Sequence, residues 1–378
     1  MQKAQLKHLL FIIITFIFSF FLLFISAEIL LRVYSKISPA FFAPTDKSYN
    51  QFRPKPNSWV NGFKVNTKGF QEEEFIIPKK ADTFRILAIG DSFTLGIVPY
   101  ENNFISIIKR RIREEINSIE VYNLGIPATT VRDYLSLFVD EGLELNPDMI
   151  LVNIFIGNDI HDTVAPKQSS LYTRRLIKYL RAIYLYNEKD SDWSKRIGAE
   201  TNAYGYDDNL KTMSDNVYYK LQKDLFIVYF DHKHALGRLQ HNYTSMFRDL
   251  NTLNEICKSK NIKLLVALLP AEVQVDRDLQ KVLENEFINE LPKSGEFQSI
   301  EAFTKTINYS LPNKLVKEEL NKLNIKHLDM LEQFQEKSKS TRLYKPNDSH
   351  WNIAGNELAA NLLYDFLLSE KYILNKSK

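Results

Sequence analysis

Phe84-Arg85-Ile86-Leu87-Ala88-Ile89-Gly90-Asp91-Ser92-Phe93 is the stretch that decides the fold. A short apolar run closed by a glycine has the form of a buried strand. Downstream, Phe104 to Ile116 places apolar residues at helical spacing and keeps a basic outer face. The alternation then repeats. Ile119 to Leu124 reads as a second strand, closed by Gly125, and Thr130 to Leu143 as a second helix with Thr129 or Thr130 as N-cap. Met149 to Ile156 reads as a third strand, closed by Gly157. Ile262 to Leu269 reads as a fourth, ending at Pro270, and Ile325 to Leu328 as a short fifth. Helical patterns fill His241 to Lys258, most of 271–320, and Asn352 to Leu368. Strands alternating with helices imply a parallel sheet covered on both faces, an α/β fold. In such a sheet the ligand site lies beyond the carboxyl ends of the strands.

Two regions fall outside this rhythm. Residues 160–238 are rich in Tyr, Asp, Asn and Lys and read as an insertion on the domain. Its aromatics, among them Tyr172, Tyr179, Tyr184, Tyr186 and Trp193, suit either a sugar- or acyl-binding cleft or ordinary packing, and packing is the simpler reading. Residues 33–82 carry Pro39, Pro44, Pro54, Pro56 and Pro78, which point to extended segments and turns. Within them, Phe63 to Phe70 reads as a short strand pair turning at Asn66-Thr67-Lys68-Gly69.

The N-terminus carries the plainest physical signal. Leu9 to Ala27 contains no charge and has about the length that crosses a hydrocarbon core as a helix. Lys3 and Lys7 precede it, so the positive-inside rule predicts a cytoplasmic N-terminus and an exported chain after Arg32. A cleaved signal peptide is the rival reading. The apolar core is long for one, and Ile25-Ser26-Ala27 is a poor cleavage pattern. The expected organisation is a short cytoplasmic segment (1–8), a transmembrane helix (9–32), a connecting region (33–82) and a domain over 83–378.

Composition excludes several classes. The chain has 378 residues, with 44% apolar and 25% charged, a globular balance. A net charge of +3, with scattered Lys and Arg, argues against a nucleic-acid surface. The single cysteine, Cys257, rules out an internal disulfide, and with no His/Asn setting it reads as a buried thiol. Neither a P-loop nor a dinucleotide fingerprint is present, so no cofactor is expected. The histidines show no metal-ligand spacing, and His232 and His234 read as parts of a solvated loop.

The strand ends hold the chemistry. They read Gly90-Asp91-Ser92-Phe93, Asn123-Leu124-Gly125 and Ile156-Gly157-Asn158-Asp159, and Asn347-Asp348-Ser349-His350-Trp351-Asn352 precedes the last helix. Ester cleavage needs a serine with a base in hydrogen-bond reach, a carboxylate to orient that base, and fixed donors for an oxyanion. Ser92, His350 and Asp348 fit the first three roles. Gly125 offers a backbone N–H without a Cβ to block approach, and Asn158 offers a side-chain amide. Each residue alone has a plainer reading: a helix cap for Ser92, a turn for Gly125 and Asn158, a packed surface ring for His350. Their joint occurrence, in order at strand ends, is what points to chemistry. Asp91 and Asp159 read as structural, and Asp329 is a second candidate to orient His350.

These blocks resemble those of the SGNH (GDSL-type) hydrolases over about Phe84 to the end of the chain. Ser92 matches the nucleophile block, Gly125 the glycine block, Asn158 the asparagine block and His350 the base. The resemblance implies a flavodoxin-like three-layer α/β/α sandwich and an oxyanion hole from the N–H groups of Ser92 and Gly125 with the Asn158 side chain. It implies an esterase or O-acyltransferase with an acyl-ester substrate, expected to be an envelope polysaccharide or lipid, or else an inactive glycan-binding relative. Val65 to Phe70 also resembles the stretch that precedes the serine block in membrane-anchored bacterial members. Two departures stand out. Position 347 is Asn where the family often has Asp, which leaves Asp348 as orienter. Gly157 directly precedes Asn158 where the family often has a residue between. The absence of a second glycine after Ser92 argues against the G-x-S-x-G elbow of the α/β-hydrolases.

Overall fold

The computed structural model describes residues 2–43, 47–60, 62–116, 118–163, 171–185, 206–231, 233–294 and 299–373. It divides into two compact units. One comprises Met1–Pro44 with Pro166–Asp190, and the other Thr45–Ala165 with Ser191–Lys378. The stretch read as a single insertion over 160–238 is therefore shared between them.

In the first unit, helix α1 runs Gln2–Ile37, past the Arg32 boundary read from the charges. Its Gln5–Ile37 portion is long and apolar enough to cross a membrane.

The second unit is the α/β domain. It begins with a hairpin of β1 (Trp59–Val60) and β2 (Phe63–Lys64), in which Val60 faces Phe63. The strand pair expected around 66–69 is thus displaced. Asn66 instead closes a turn, its side-chain oxygen accepting from Lys68 N–H and Phe70 N–H, both at 3.0 Å. The overlooked signal is Asn61-Gly62, a dipeptide that favours tight hairpins, and Gly62 has φ 77°.

Next come β3 (Phe84–Ile89), α2 (Ser92–Leu95), α3 (Phe104–Glu115), β4 (Ile119–Asn123), α4 (Val131–Asp140), β5 (Met149–Phe155) and α5 (Asn158–His161). Helix α6 (Tyr172–Leu185) belongs to the first unit. The domain resumes with α7 (Asp215–Leu225), α8 (Lys233–Ser259), β6 (Lys263–Leu269), α9 (Glu272–Val275), α10 (Arg277–Ser294), α11 (Ile300–Thr304), α12 (Leu311–Lys322), β7 (Lys326–Asp329), α13 (Leu331–Ser338) and α14 (Ile353–Ser369).

The five long-range strands pair in parallel in the order β4-β3-β5-β6-β7. This is the 2-1-3-4-5 order of flavodoxin-like sheets. From β3 the chain steps outward to β4, then returns across β3 to β5. Right-handed crossovers must then put α3 and α4 on opposite faces. The packing agrees: α3 lies against α14, and α4 against α8. β5 is buried along its whole length, as a central strand covered on both faces must be. The reversal places a crevice at the carboxyl ends of β3 and β5.

Candidate active site

Ser92 is the first residue of α2, delivered there by the end of β3. The turn is tight because Gly90 has no side chain. A Cβ there would lie 2.0 Å from Thr94 Oγ1 and 3.1 Å from the Asn153 Cβ. Asp91 caps α2, accepting the Phe93 N–H at 2.9 Å. Three asparagines then hold the short helix. Asn123 Nδ2 donates to the Thr94 carbonyl at 2.6 Å, Asn103 Nδ2 to the same carbonyl at 3.3 Å, and Asn153 Nδ2 to Thr94 Oγ1 at 3.1 Å. These positioning residues were not singled out from the sequence. Asn153 and Asn123 lie within apolar strands, and a polar residue there signals a buried hydrogen bond.

His350 reaches Ser92 from the loop before α14. Its Nε2 lies 2.7 Å from Ser92 Oγ, and its Nδ1 lies 2.6 Å from Asp348 Oδ1. The loop has a defined frame. Tyr344 and Trp351 form an antiparallel bridge, and Lys345 N–H donates to the His350 carbonyl at 3.0 Å. Asn347 takes a left-handed turn at φ 49°, a conformation asparagine tolerates. Phe93 lies beside both the His350 ring, at 4.9 Å between centroids, and the Trp351 ring, at 5.1 Å.

Asp348 is 2% exposed, and its second oxygen accepts the Thr212 hydroxyl at 2.8 Å. Burial pushes its carboxyl up. The hydrogen bond and charge of His350, with the Thr212 hydroxyl, outweigh that and hold it well below the usual range. Thr212 comes from the stretch read as an insertion, and no local pattern marks it. Asn347 Nδ2 also donates to the Met213 carbonyl at 3.0 Å, so the same segment braces the loop. Asp329, the second candidate orienter, is engaged elsewhere. It accepts from Asn313 Nδ2 at 2.8 Å and pairs with Lys317 at 2.7 Å.

The Gly125 N–H, expected to serve an oxyanion, donates to Asn123 Oδ1 at 2.9 Å in this structure. The missing side chain serves packing. A Cβ on Gly125 would lie 2.2 Å from the Leu95 nitrogen, so only glycine lets β4's end meet α2. In the turn beyond it, Ala128 is exposed and holds φ 55°, a strained conformation for a residue with a Cβ.

Asn158 begins α5, across the crevice at the end of β5. Among the described residues its buried Oδ1 has no hydrogen-bond partner. Asp159 is fully buried. It accepts the Tyr134 hydroxyl at 2.9 and 3.0 Å and the Phe155 N–H at 2.8 Å, and so braces the β5–α5 corner. Burial, reinforced by the charge of Asp91, pushes the Asp159 carboxyl well up. Burial also raises Asp91, against the Phe93 N–H and the charge of His350.

Cys257 is 1% exposed, and burial pushes its thiol up to about 12. Among the described residues no group of His, Cys, Asp and Glu could hold a metal ion. His232, Tyr186 and Trp193 lie outside the described residues.

No family model matches the chain, and no curated protein matches it. Solved structures do match. The acetyl xylan esterase AlAXEase has a TM-score of 0.40 and 11% identity over 75% of this chain and 100% of its own. TesA has 0.40 and 9%, over 75% and 98%. A lipase/acylhydrolase from Enterococcus faecalis has 0.38 and 12%, over 78% and 100%.

Proposed function

We propose that this protein cleaves acyl esters through an acyl-serine intermediate, on a domain anchored to a membrane by α1. The observation that carries the proposal is the hydrogen-bonded chain Ser92–His350–Asp348 at the carboxyl edge of the sheet. His350 Nε2 takes the Ser92 proton as Oγ attacks the ester carbonyl carbon. Asp348 stays ionised, fixes the proton on Nδ1 and stabilises the imidazolium that forms. The tetrahedral oxyanion lies against the Ser92 N–H and the Asn158 side chain. The alcohol leaves with the proton from His350. Water, deprotonated by the same ring, then attacks the acyl-serine, and His350 returns that proton to Ser92 Oγ as the acid leaves.

With α1 as a single-pass anchor and Lys3 and Lys7 on the cytoplasmic side, the domain faces outward, toward acylated envelope polysaccharide or lipid. The test is hydrolysis of a small acetyl ester by the purified full chain, then incubation with an acetylated glycan with and without an acceptor sugar. Free acetate supports hydrolysis, and an acetylated acceptor supports transfer by the same residues. Activity that survives Ser92→Ala contradicts the proposal.

A further inference from the structure

Helix α6 has a composition suited to neither a protein core nor a solvated surface. Its fourteen residues, Tyr172–Leu185, carry four basic side chains and no acidic one. Arg174, Arg175, Lys178 and Arg181 are spaced i, i+1, i+4 and i+7, which places them on one stripe of a helix. Tyr172, Leu176 and Leu180 fall on the opposite side by the same period, and Ile177 lies at the edge between the two faces. Ile177 is 65% exposed and Leu180 53%, and Leu171 just before the helix is 39% exposed. An amphipathic helix with a basic face and an uncovered apolar face is the form that lies in a membrane interface.

The attachment of α6 fixes its level. Glu28 stands one residue beyond the uncharged run Leu9 to Ala27. Its carboxylate accepts the backbone N–H of Tyr172 at 3.0 Å and of Thr173 at 2.9 Å, and the Thr173 hydroxyl at 3.1 Å. These are the first N–H groups of α6, which have no partner inside a helix. Arg32, one turn further along α1, pairs with Glu28 at 2.9 Å and lies over the Tyr172 ring. The start of α6 is therefore capped by the helix suited to cross the membrane, where its apolar run ends.

We infer that α6 is a second membrane contact, lying in the headgroup region of a leaflet rich in anionic phospholipid. Leu180 dips toward the acyl chains, Ile177 sits at the edge of the apolar face, and the basic stripe meets lipid phosphates. This rests on the proposed anchoring by α1. It adds a surface that fixes how the first unit sits on the bilayer, where one helix alone leaves rotation about its axis free.

The test is site-directed spin labelling of the full chain in phosphatidylglycerol-containing vesicles. Single cysteines are introduced by Phe16→Cys, Arg174→Cys, Ile177→Cys and Leu180→Cys. The buried native Cys257 serves as the unlabelled control. Labels at 177 and 180 should favour collision with oxygen over a water-soluble nickel chelate, at a depth of about 5–10 Å below the headgroups. The label at 174 should show the reverse preference. Water-like values at 177 and 180, with Phe16→Cys in hydrocarbon, overturn this inference alone. Low access to both reagents at 177 and 180 also overturns it and indicates a protein contact. A water-exposed label at Phe16→Cys overturns the anchoring reading itself.

Discussion

Two buried aspartates near the proposed site are held in opposite ways. Asp348, in the loop before α14, faces the His350 imidazole and the Thr212 hydroxyl, and its carboxyl is held down. Asp159, at the β5–α5 corner, faces the Tyr134 hydroxyl and the charge of Asp91, and its carboxyl is pushed up. Burial raises both. What separates them is whether the nearest charge is a cation in the making or another carboxylate. Only the first can stabilise an imidazolium, so only Asp348 suits the work of orienting a base. The second fits a bracing role, tying α4 to the end of β5.

The comparison breaks most sharply at Ser92. Ser92→Ala should lower turnover of an acetyl ester on the order of 10⁴–10⁶-fold, and His350→Gln by a similar factor. The double variant should lose little more than either single one, since the two act as a unit. Asp348→Asn should cost on the order of 10⁴ in kcat by favouring the wrong imidazole tautomer, while Asp159→Asn should cost far less. If the two aspartate variants are equally impaired, the distinction between them is lost.

The same pair makes opposite predictions for stability against pH. Asp348 is depressed in the folded state, so its contribution is present above its unfolded pKa of about 4 and is lost as pH falls through its lower folded value. Asp159 is raised, so its contribution is complete below about pH 4 and fades as pH rises from there toward its folded value. Denaturant titrations across this range should therefore show Asp348→Asn flattening the acid limb and Asp159→Asn flattening the decline on the other side.

Smaller effects sharpen the packing argument. Gly125→Ala forces a Cβ against the α2 backbone and should destabilise by about 1–3 kcal/mol or more, with lower kcat because α2 carries Ser92. At Gly237, inside α8, an added Cβ meets nothing within 4 Å, so Gly237→Ala should stabilise by about 1 kcal/mol. Ala128→Gly relieves a left-handed residue and should gain about 1 kcal/mol at most, since glycine's greater unfolded-state freedom offsets part of it. Thermal or denaturant unfolding reads all three.

The five strands were legible because each is an apolar run closed by Gly, Pro or a polar turn. Phe84–Ile89 matches the expected bounds, and Met149–Phe155 is one residue shorter than expected. The order of the sheet was not written locally, since parallel pairing joins segments far apart in sequence. The hairpin at β1 and β2 was misplaced because Asn66-Gly69 looks like a turn, and it is one, but a turn without strands on both sides. At the site, Ser92, His350 and Asp348 were legible from residue type and order. Thr212 was not, because its contact with Asp348 spans 136 residues. Nor was the engagement of the Gly125 N–H, which depends on a side-chain rotamer of Asn123.

The central claim is that Ser92 is a nucleophile activated by His350. The most direct measurement is intact and peptide mass analysis of the full chain after reaction with a serine-directed fluorophosphonate. The account predicts one adduct, located on Ser92, lost in Ser92→Ala and strongly slowed in His350→Gln. An adduct on another residue, or one formed equally fast in His350→Gln, would contradict it.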